Sequence, residues 1–140
     1  MTIKVRDIMT ARVNIASPMQ TVRDAAQIMA DSDIGVLPVG DNDRLVGMIT
    51  DRDIVLRACA AGHHPEDCRV ADVMTPEVKY LYDDESIEDA ARNMGDLQVR
   101  RLPVLNRQKR LVGIVAMADL AVKAGGPPTE AAITEVSRPI

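Results

Sequence analysis

The sequence is poor in aromatic residues: it has no phenylalanine, no tryptophan and only two tyrosines among its 140 residues. Small and flexible side chains must therefore fill the core, and eight methionines are available for this. Proteins that bind single-stranded nucleic acids stack bases on aromatic side chains, which are scarce here. The net charge of -4 also argues against the basic patch that a nucleic-acid surface needs. We therefore expect no nucleic-acid partner.

Cysteines and long apolar runs are also scarce. Cys59 and Cys68 are too few for a disulfide scaffold and are typical of a reducing compartment. No apolar run approaches the roughly 18 residues that span a bilayer. The N-terminus, M-T-I-K-V-R-D, lacks the apolar core of a secretion signal. We expect a cytoplasmic protein without a membrane partner.

The sequence is rich in internal repetition, which indicates a duplicated structural unit. V-R-D-I-M-T at 5–10 returns as V-A-D-V-M-T at 70–75, and T-V-R-D-A-A-Q-I-M at 21–29 returns as S-I-E-D-A-A-R-N-M at 86–94. L-P-V at 37–39 returns at 102–104, and R-L-V-G-M-I-T-D-R-D-I at 44–54 returns as R-L-V-G-I-V-A-M-A-D-L at 110–120. The register slips by one residue only in the polar turn before this last segment, where insertions are tolerated.

Each copy has the pattern strand, helix, strand, strand, helix. In the first copy, residues 13–15 form the predicted opening strand, and Thr21 caps the predicted first helix. Residues 36–39 and 45–49 flank the turn Asp41-Asn42-Asp43 and should pair as a hairpin. The second copy repeats these features with a cap at Ser86 and a hairpin from 102–105 and 111–115.

These patterns predict the fold class and the domain boundaries. We expect an α/β (α+β) protein made of a first repeat at 3–62, a linker loop at 63–69, a second repeat at 70–124 and a flexible tail at 125–140. In the tail, Thr129 could begin a short helix. A copy of about 60 residues buries too little surface alone. The two β-α-β-β-α repeats should therefore pack sheet to sheet about a pseudo-two-fold axis.

The junction at Thr50 is the candidate for a binding function. An apolar strand containing Gly47 ends there, a helix begins, and Asp53 follows three residues later. Unpaired N–H groups at such a helix start suit a phosphate, and a carboxylate can accept hydrogen bonds from a sugar diol. Thr50 and Asp53 are equally explained as an ordinary capping box, so the local pattern leaves both interpretations open.

The repeated V-x-D-[IV]-M-T, A-A-x-x-M, L-P-V and L-V-G-x-[IV]-x-x-x-D segments resemble paired cystathionine-β-synthase (CBS) domains, the tandem called a Bateman module. The resemblance covers about residues 3–124, and the layout is similar to that of stand-alone bacterial two-CBS proteins of the hypoxic-response type. It implies a homodimer that binds an adenine nucleotide (AMP, ADP, ATP or S-adenosylmethionine) as a ligand, with no required cofactor.

The resemblance also implies site residues. The family pattern G-h-x-[ST]-x-x-D corresponds to Gly47, Thr50 and Asp53, with the hydroxyl near phosphate and the carboxylate on ribose. The adenine would contact residues of the opening strand and residues near L-P-V, namely Asn14, Ile15, Ile34 and Pro38. The corresponding residues of a second cleft are Val78, Lys79, Val99, Pro103, Gly113 and Asp119.

The second cleft departs from the pattern because Ala116 stands where the hydroxyl belongs. Losing a hydrogen bond to a charged group costs roughly 1.5–3 kcal/mol. We therefore expect one competent nucleotide site per chain, at Thr50. Arg52 and Arg101 are further candidates for phosphate contacts, although both could equally be solvated surface residues.

Two other clusters have less support as binding sites. His63, His64 and Cys68 share the polar linker, but adjacent histidines diverge and no second cluster completes a tetrahedral metal site, so no metal is expected. Tyr80 and Tyr82 alternate on one strand face, where they could stack on an adenine, but we predict that they lie in a core or an interface.

No catalytic set or Walker-type phosphate loop is present, so no enzyme is expected. The predicted function is that of an adenine-nucleotide sensor that acts on an unknown separate effector protein. The alternatives are a ligand-indifferent dimeric interaction module and a metal- or redox-responsive stress protein.

Overall fold

A computed structural model of the chain describes residues 2–11, 13–76, 78–97, 101–116 and 118–119. In chain order its helices and strands are α1 (Val5–Ile8), α2 (Val22–Ser32), β1 (Val36–Asp41), β2 (Arg44–Thr50), α3 (Asp51–Asp53) with a π-helical continuation (Ile54–Cys59), a 3-10 turn (Pro65–Asp67), α4 (Val70–Val73), β3 (Leu81–Tyr82), α5 (Ile87–Leu97), β4 (Arg101–Leu105) and β5 (Leu111–Ala116). This mixture of helices and small sheets confirms the predicted α+β class. The predicted tail, with its helix from Thr129, lies outside the described residues.

The chain forms two compact units. One contains residues 14–78, and the other contains residues 1–13 together with 79–140. Each has its own apolar core, built around Val22, Leu37 and Ile49 in the first case and around Val5, Leu81 and Val104 in the second. No helix in the described part of the chain is long and apolar enough to cross a membrane.

The two long helices begin at the predicted caps. The Thr21 hydroxyl accepts a hydrogen bond from the Asp24 N–H at 3.1 Å, and the Ser86 hydroxyl accepts one from the Asp89 N–H at 3.2 Å. Each hydroxyl satisfies a backbone donor that has no partner within its helix. Both predictions of helix start are confirmed.

Both predicted hairpins are also confirmed. Strand β1 pairs antiparallel with β2, and β4 pairs antiparallel with β5. The first hairpin turns through Asn42 and Asp43 with φ values of 53° and 66°, and a two-residue type I′ turn requires positive φ at both of these positions. Each hairpin carries a β-bulge at the same place, after Val39 in one and after Val104 in the other. The duplication thus extends to an irregularity of the backbone.

The predicted opening strand at residues 13–15 is wrong. Only Ala16 pairs there, by donating to the Pro38 carbonyl at 3.0 Å and accepting from the Gly40 N–H at 2.9 Å. Extending this parallel ladder toward Asn14 would need an N–H from Pro38, and extending it the other way would need one from Pro18. Neither proline has a backbone N–H, so the pairing stops after one residue.

In the second copy the pairing extends further because a non-proline residue follows it. Leu81 and Tyr82 pair in parallel with Val104 and Leu105, and the Asp83 N–H donates to the Leu105 carbonyl at 2.9 Å. Asp83 corresponds in the repeat to Pro18. One substitution therefore explains the difference in strand length.

The V-x-D-[IV]-M-T openings do not pack with the repeats that they precede in sequence. Helix α1 belongs to the unit of the second repeat, where Thr10 pairs with Ile114. Helix α4 belongs to the unit of the first repeat, where Thr75 pairs with Met48. The ranges 3–62 and 70–124 thus describe the sequence duplication, whereas each compact unit contains the opening of the other copy.

This packing explains the glycines of the two L-V-G segments. A Cβ atom on Gly47 would lie 2.8 Å from the Thr75 carbonyl oxygen, and one on Gly113 would lie 2.9 Å from that of Thr10. A side chain at either position would displace the crossing segment. Glycine at each position therefore allows the close approach of the two backbones.

Candidate functional site

The junction between β2 and α3 is a reciprocal capping box. The Thr50 hydroxyl accepts a hydrogen bond from the Asp53 N–H at 3.0 Å, and the Asp53 carboxylate accepts one from the Thr50 N–H at 3.0 Å. Thr50 has an extended backbone, as expected for a residue that ends a strand and precedes a helix. The predicted capping role of Thr50 is confirmed, and the two side chains hold each other in fixed positions.

The expectation of unpaired N–H groups at this helix start is wrong. Besides the two N–H groups of the capping box, the Asp51 N–H donates to the Gly35 carbonyl at 2.9 Å and the Arg52 N–H donates to the Asp51 carboxylate at 2.8 Å. The chain's own oxygen atoms thus use the donors that a phosphate would need. An anion at this junction must be bound by side chains.

The charged side chains of the junction differ in exposure. The Asp53 side chain is only 14% exposed, and its second carboxylate oxygen lies 3.8 Å from the guanidinium of Arg57. Asp51 and Arg52 are exposed. In the described part of the chain, the Arg52 guanidinium makes no hydrogen bond or ion pair. Arg52 therefore remains available to a bound anion, whereas Asp53 is held in place.

The second junction keeps half of this arrangement. The Asp119 carboxylate accepts a hydrogen bond from the Ala116 N–H at 3.0 Å, as Asp53 does from Thr50. Ala116 has no hydroxyl to complete the box. The carboxylate therefore has the same local structural role at both junctions, and the hydroxyl is present at one.

The other predicted residues of the first cleft lie in the unit that contains Thr50. Asn14 is exposed and donates from its side chain to the Ser32 hydroxyl at 2.8 Å, and Ile15 is also exposed. Ile34 is half-buried against the core, whereas Pro38 and Gly47 are buried. Their contact with a nucleotide stays a prediction.

The residues predicted for the second cleft are divided between the units. Val78 ends the unit of the first repeat, and Lys79, Pro103, Gly113 and Asp119 belong to the other, together with Arg101. Pro103 and Gly113 are buried, whereas Lys79 and Arg101 are exposed. Val99 lies outside the described residues. The nucleotide roles of this set also stay predictions.

The polar linker contributes to a cavity that sequence reasoning missed. This cavity of about 220 Å³ is lined by Arg57, His63, Asp67, Cys68, Asp72 and Val73. Burial raises the pKa of the Cys68 thiol, and the nearby charge of Asp72 raises it further. Among the described residues, no group of three or more His, Cys, Asp or Glu side chains is arranged to hold a metal ion.

A second missed feature surrounds the two tyrosines. Their rings contact edge to face with centroids 5.5 Å apart, and the Arg107 guanidinium lies 3.9 Å from the centre of the Tyr82 ring. The Lys109 ammonium donates to the Tyr80 hydroxyl at 2.7 Å, and this hydrogen bond lowers the pKa of Tyr80. The longer, basic turn of the second copy was the available sequence signal.

Comparison with known proteins identifies the fold. The CBS domain family matches residues 5–58 and 70–124. The chain is 41% identical to the CBS domain-containing protein YhcV of Bacillus subtilis, over 95% of this chain and 94% of that protein. It is 44% identical to hypoxic response protein 1 of Mycobacterium tuberculosis, over 83% of this chain and 81% of that protein.

Solved structures show the same similarity. A crystal structure of hypoxic response protein I with two coordinated zinc ions matches with a TM-score of 0.78 and 43% identity, covering 86% of this chain and 98% of the other. CBSX2 in complex with AMP matches with a TM-score of 0.74 and 31% identity, covering 86% of this chain and 95% of the other.

Two copies of one domain, with the same capped helices and bulged hairpins, define a CBS-pair regulatory module. The chain belongs to the CBS domain family. The resemblance to tandem CBS proteins of the hypoxic-response type is therefore confirmed.

Proposed function

We propose that this CBS pair senses an adenine nucleotide at the Thr50–Asp53 junction and reports it to a separate effector protein. The pairing of a hydroxyl and a carboxylate in one fixed capping box is the observation that carries this proposal. The AMP complex of the related CBSX2 supports the class of ligand. The module acts in the cytoplasm and performs no catalysis of its own.

The capping box leaves the chemistry that such a ligand needs. The Thr50 oxygen accepts the Asp53 N–H, so its own proton is free to be donated to a phosphate oxygen. One oxygen of the Asp53 carboxylate accepts the Thr50 N–H, and the other can accept hydrogen bonds from a ribose diol. The adenine then contacts Asn14, Ile15, Ile34 and Pro38.

The surroundings of the junction favour one strong site. Arg52 supplies a cation for the phosphate. Asp119 keeps its carboxylate without a hydroxyl partner, so the second cleft binds the same ligand weakly.

Assembly into a homodimer is supported by an apolar surface on the helix that follows Thr50. Val55 and Leu56 are 55% and 51% exposed, which is unusual for adjacent large apolar side chains. We propose that a second copy covers them. A ligand that favours one arrangement of the two units would then shift the population of the whole dimer.

Replacement of the Thr50 hydroxyl tests the proposed function. Isothermal titration calorimetry with AMP and ATP compares the wild-type protein with Thr50→Ala, and Thr21→Ala is the matched control because it removes the same kind of helix cap elsewhere in the same unit. We expect Thr50→Ala to weaken binding by about tenfold or more, and Thr21→Ala to leave it unchanged. Equal affinities in all three proteins would contradict the proposal.

A thermal-shift screen separates this function from a ligand-indifferent interaction module. A true ligand at 100 times its dissociation constant adds about 2.7 kcal/mol to the free energy of unfolding. A nucleotide that binds must therefore raise the melting temperature as its concentration rises. No shift with any adenine compound would favour the interaction module.

A further inference from the structure

Arg57 joins two parts of the first repeat's unit that are distant in sequence. Its guanidinium donates to the Val73 carbonyl at 3.0 Å and to the Met74 carbonyl at 3.3 Å, and it reaches the Thr75 hydroxyl at 3.5 Å. The same nitrogen atom lies 3.8 Å from the Asp53 carboxylate. One side chain thus contacts residues 73–75 and lies near the Asp53 oxygen that is proposed to accept the ribose hydroxyls.

The carbonyl groups of Val73 and Met74 are stabilised by this arginine. They lie at the C-terminal end of α4, where backbone carbonyls lack partners within the helix and favour a positive charge. Beyond α4, the segment crosses β2 at Gly47, and the Thr75 N–H donates to the Met48 carbonyl at 2.8 Å. The chain then passes through Val78 and Lys79, where one compact unit ends and the other resumes. A change in the hydrogen bonding of Asp53 can therefore reach, through Arg57, the segment that leads into the other unit.

The local backbone supports a special role for this helix. Residues Ile54–Cys59 form a π-helical turn directly after the capping box, and Arg57 lies within it. Such turns are rare and often occur at functional sites. The Asp53 side chain is largely buried, so its attraction to Arg57 is screened less than that of a surface pair.

We propose that Arg57 is a positioning residue that orients the Asp53 carboxylate for the ligand and couples its occupancy to residues 70–75, which comprise α4 and the two residues after it. This inference rests on the proposed function, because it concerns the same carboxylate. Ligand binding at Asp53 stabilises the Arg57 contacts, and residues 70–75 become more rigid. By reciprocity, loss of the contacts between Arg57 and residues 73–75 weakens ligand binding.

Hydrogen–deuterium exchange of the amides of residues 70–75, with and without AMP, tests the coupling together with calorimetric titration of AMP. The proteins compared are the wild type, Arg57→Gln, Arg57→Lys and the control Arg23→Gln, which removes an exposed arginine paired with Glu66 at 3.0 Å in the same unit. We expect AMP to slow exchange at 70–75 in the wild type and in Arg23→Gln, but not in Arg57→Gln. Arg57→Gln should also weaken AMP binding by about fivefold, and Arg57→Lys should restore part of the loss.

A double variant distinguishes positioning from a structural role. Asp53→Asn with Arg57→Gln should bind AMP no more weakly than Asp53→Asn alone, because Arg57 acts through Asp53. Faster hydrogen–deuterium exchange at residues 70–75 in Arg57→Gln, with unchanged AMP affinity, would overturn the coupling and leave the proposed function intact. Failure of the wild-type protein to bind AMP in the same titration would overturn both.

Discussion

The junctions that follow β2 and β5 differ by one hydroxyl group in the capping box, and Met117 and Ala118 stand at the second where Asp51 and Arg52 stand at the first. At the first, Thr50 and Asp53 form a complete capping box, and at the second, Asp119 alone accepts the N–H of Ala116. The hydrogen bond from the backbone N–H to the aspartate carboxylate is 3.0 Å long at both junctions. This difference indicates that the aspartate alone does not define a ligand site, since it has the same structural role at both junctions. The Thr50 hydroxyl and the Arg52 guanidinium are present only at the first.

The largest difference between the junctions should appear when each carboxylate loses its charge. Asparagine keeps an oxygen that can accept the strand-end N–H, so the fold should tolerate both Asp53→Asn and Asp119→Asn. We expect Asp53→Asn to weaken AMP binding by more than about tenfold, because a charged acceptor of the ribose is lost. Asp119→Asn should change the AMP dissociation constant by less than about twofold in the same calorimetric titration. Similar losses in both variants would remove the distinction between the junctions.

Adding the missing hydroxyl should make the junctions more alike. Ala116→Thr restores the residue type that completes a capping box with Asp119, and Ala116→Val is the matched control because it has a similar shape without a hydroxyl. We expect calorimetry to show a second AMP site, with stoichiometry rising from about one to about two per chain only in Ala116→Thr. A second site in both variants, or in neither, would show that the hydroxyl does not decide binding.

The negative charge of Asp51 should lower the affinity of the first junction for ATP relative to its affinity for adenosine. The Asp51 carboxylate accepts the Arg52 N–H and lies beside Gly35, so it adds a negative charge near the proposed phosphate. Asp51→Asn should strengthen ATP binding about threefold to tenfold at low salt while adenosine binding changes little. Asp31→Asn removes a charge elsewhere in the same unit and should leave the ratio of ATP to adenosine affinity unchanged. An unaltered ratio in Asp51→Asn would exclude this electrostatic selection.

The smallest expected effect concerns the tyrosine cluster, which only the second repeat has. Ile15 and Ser17 stand in the first copy where Tyr80 and Tyr82 stand in the second. Since the Lys109 hydrogen bond lowers the pKa of Tyr80, tyrosinate should form below the usual pH range. Spectrophotometric titration of Tyr82→Phe should show this early transition, and adding Lys109→Met should return it toward the ordinary value. Identical titrations would contradict the assigned hydrogen bond.

Much of the fold could be predicted because its signals are local. Thr21 and Ser86 precede amphipathic helices, and Asn42 with Asp43 suits a two-residue turn, so neighbouring residues alone predict these elements. The length of the opening strands was harder to predict from the sequence. The pairing ends where the next hydrogen bond would need an N–H group from Pro38 or Pro18, and these positions are known only once the register of the two strands is known.

Other features depend on distant parts of the chain. The two V-x-D-[IV]-M-T openings are so similar that sequence alone could not show that each packs in the unit of the other copy. The donors at the first junction were expected to be free because the Gly35 carbonyl, which accepts the Asp51 N–H, lies 16 residues earlier in sequence. Arg57 reaches the Val73 carbonyl across a similar separation. Long-range contacts of this kind are set by tertiary packing.

A crystal structure of the protein grown with AMP tests the nucleotide site at Thr50 and Asp53 most directly. We expect the ribose hydroxyls to donate to the Asp53 carboxylate, the Thr50 hydroxyl to donate to the phosphate, and the second junction to hold no nucleotide at comparable occupancy. AMP bound with neither Thr50 nor Asp53 in contact, or bound equally at Ala116, would contradict the central claim.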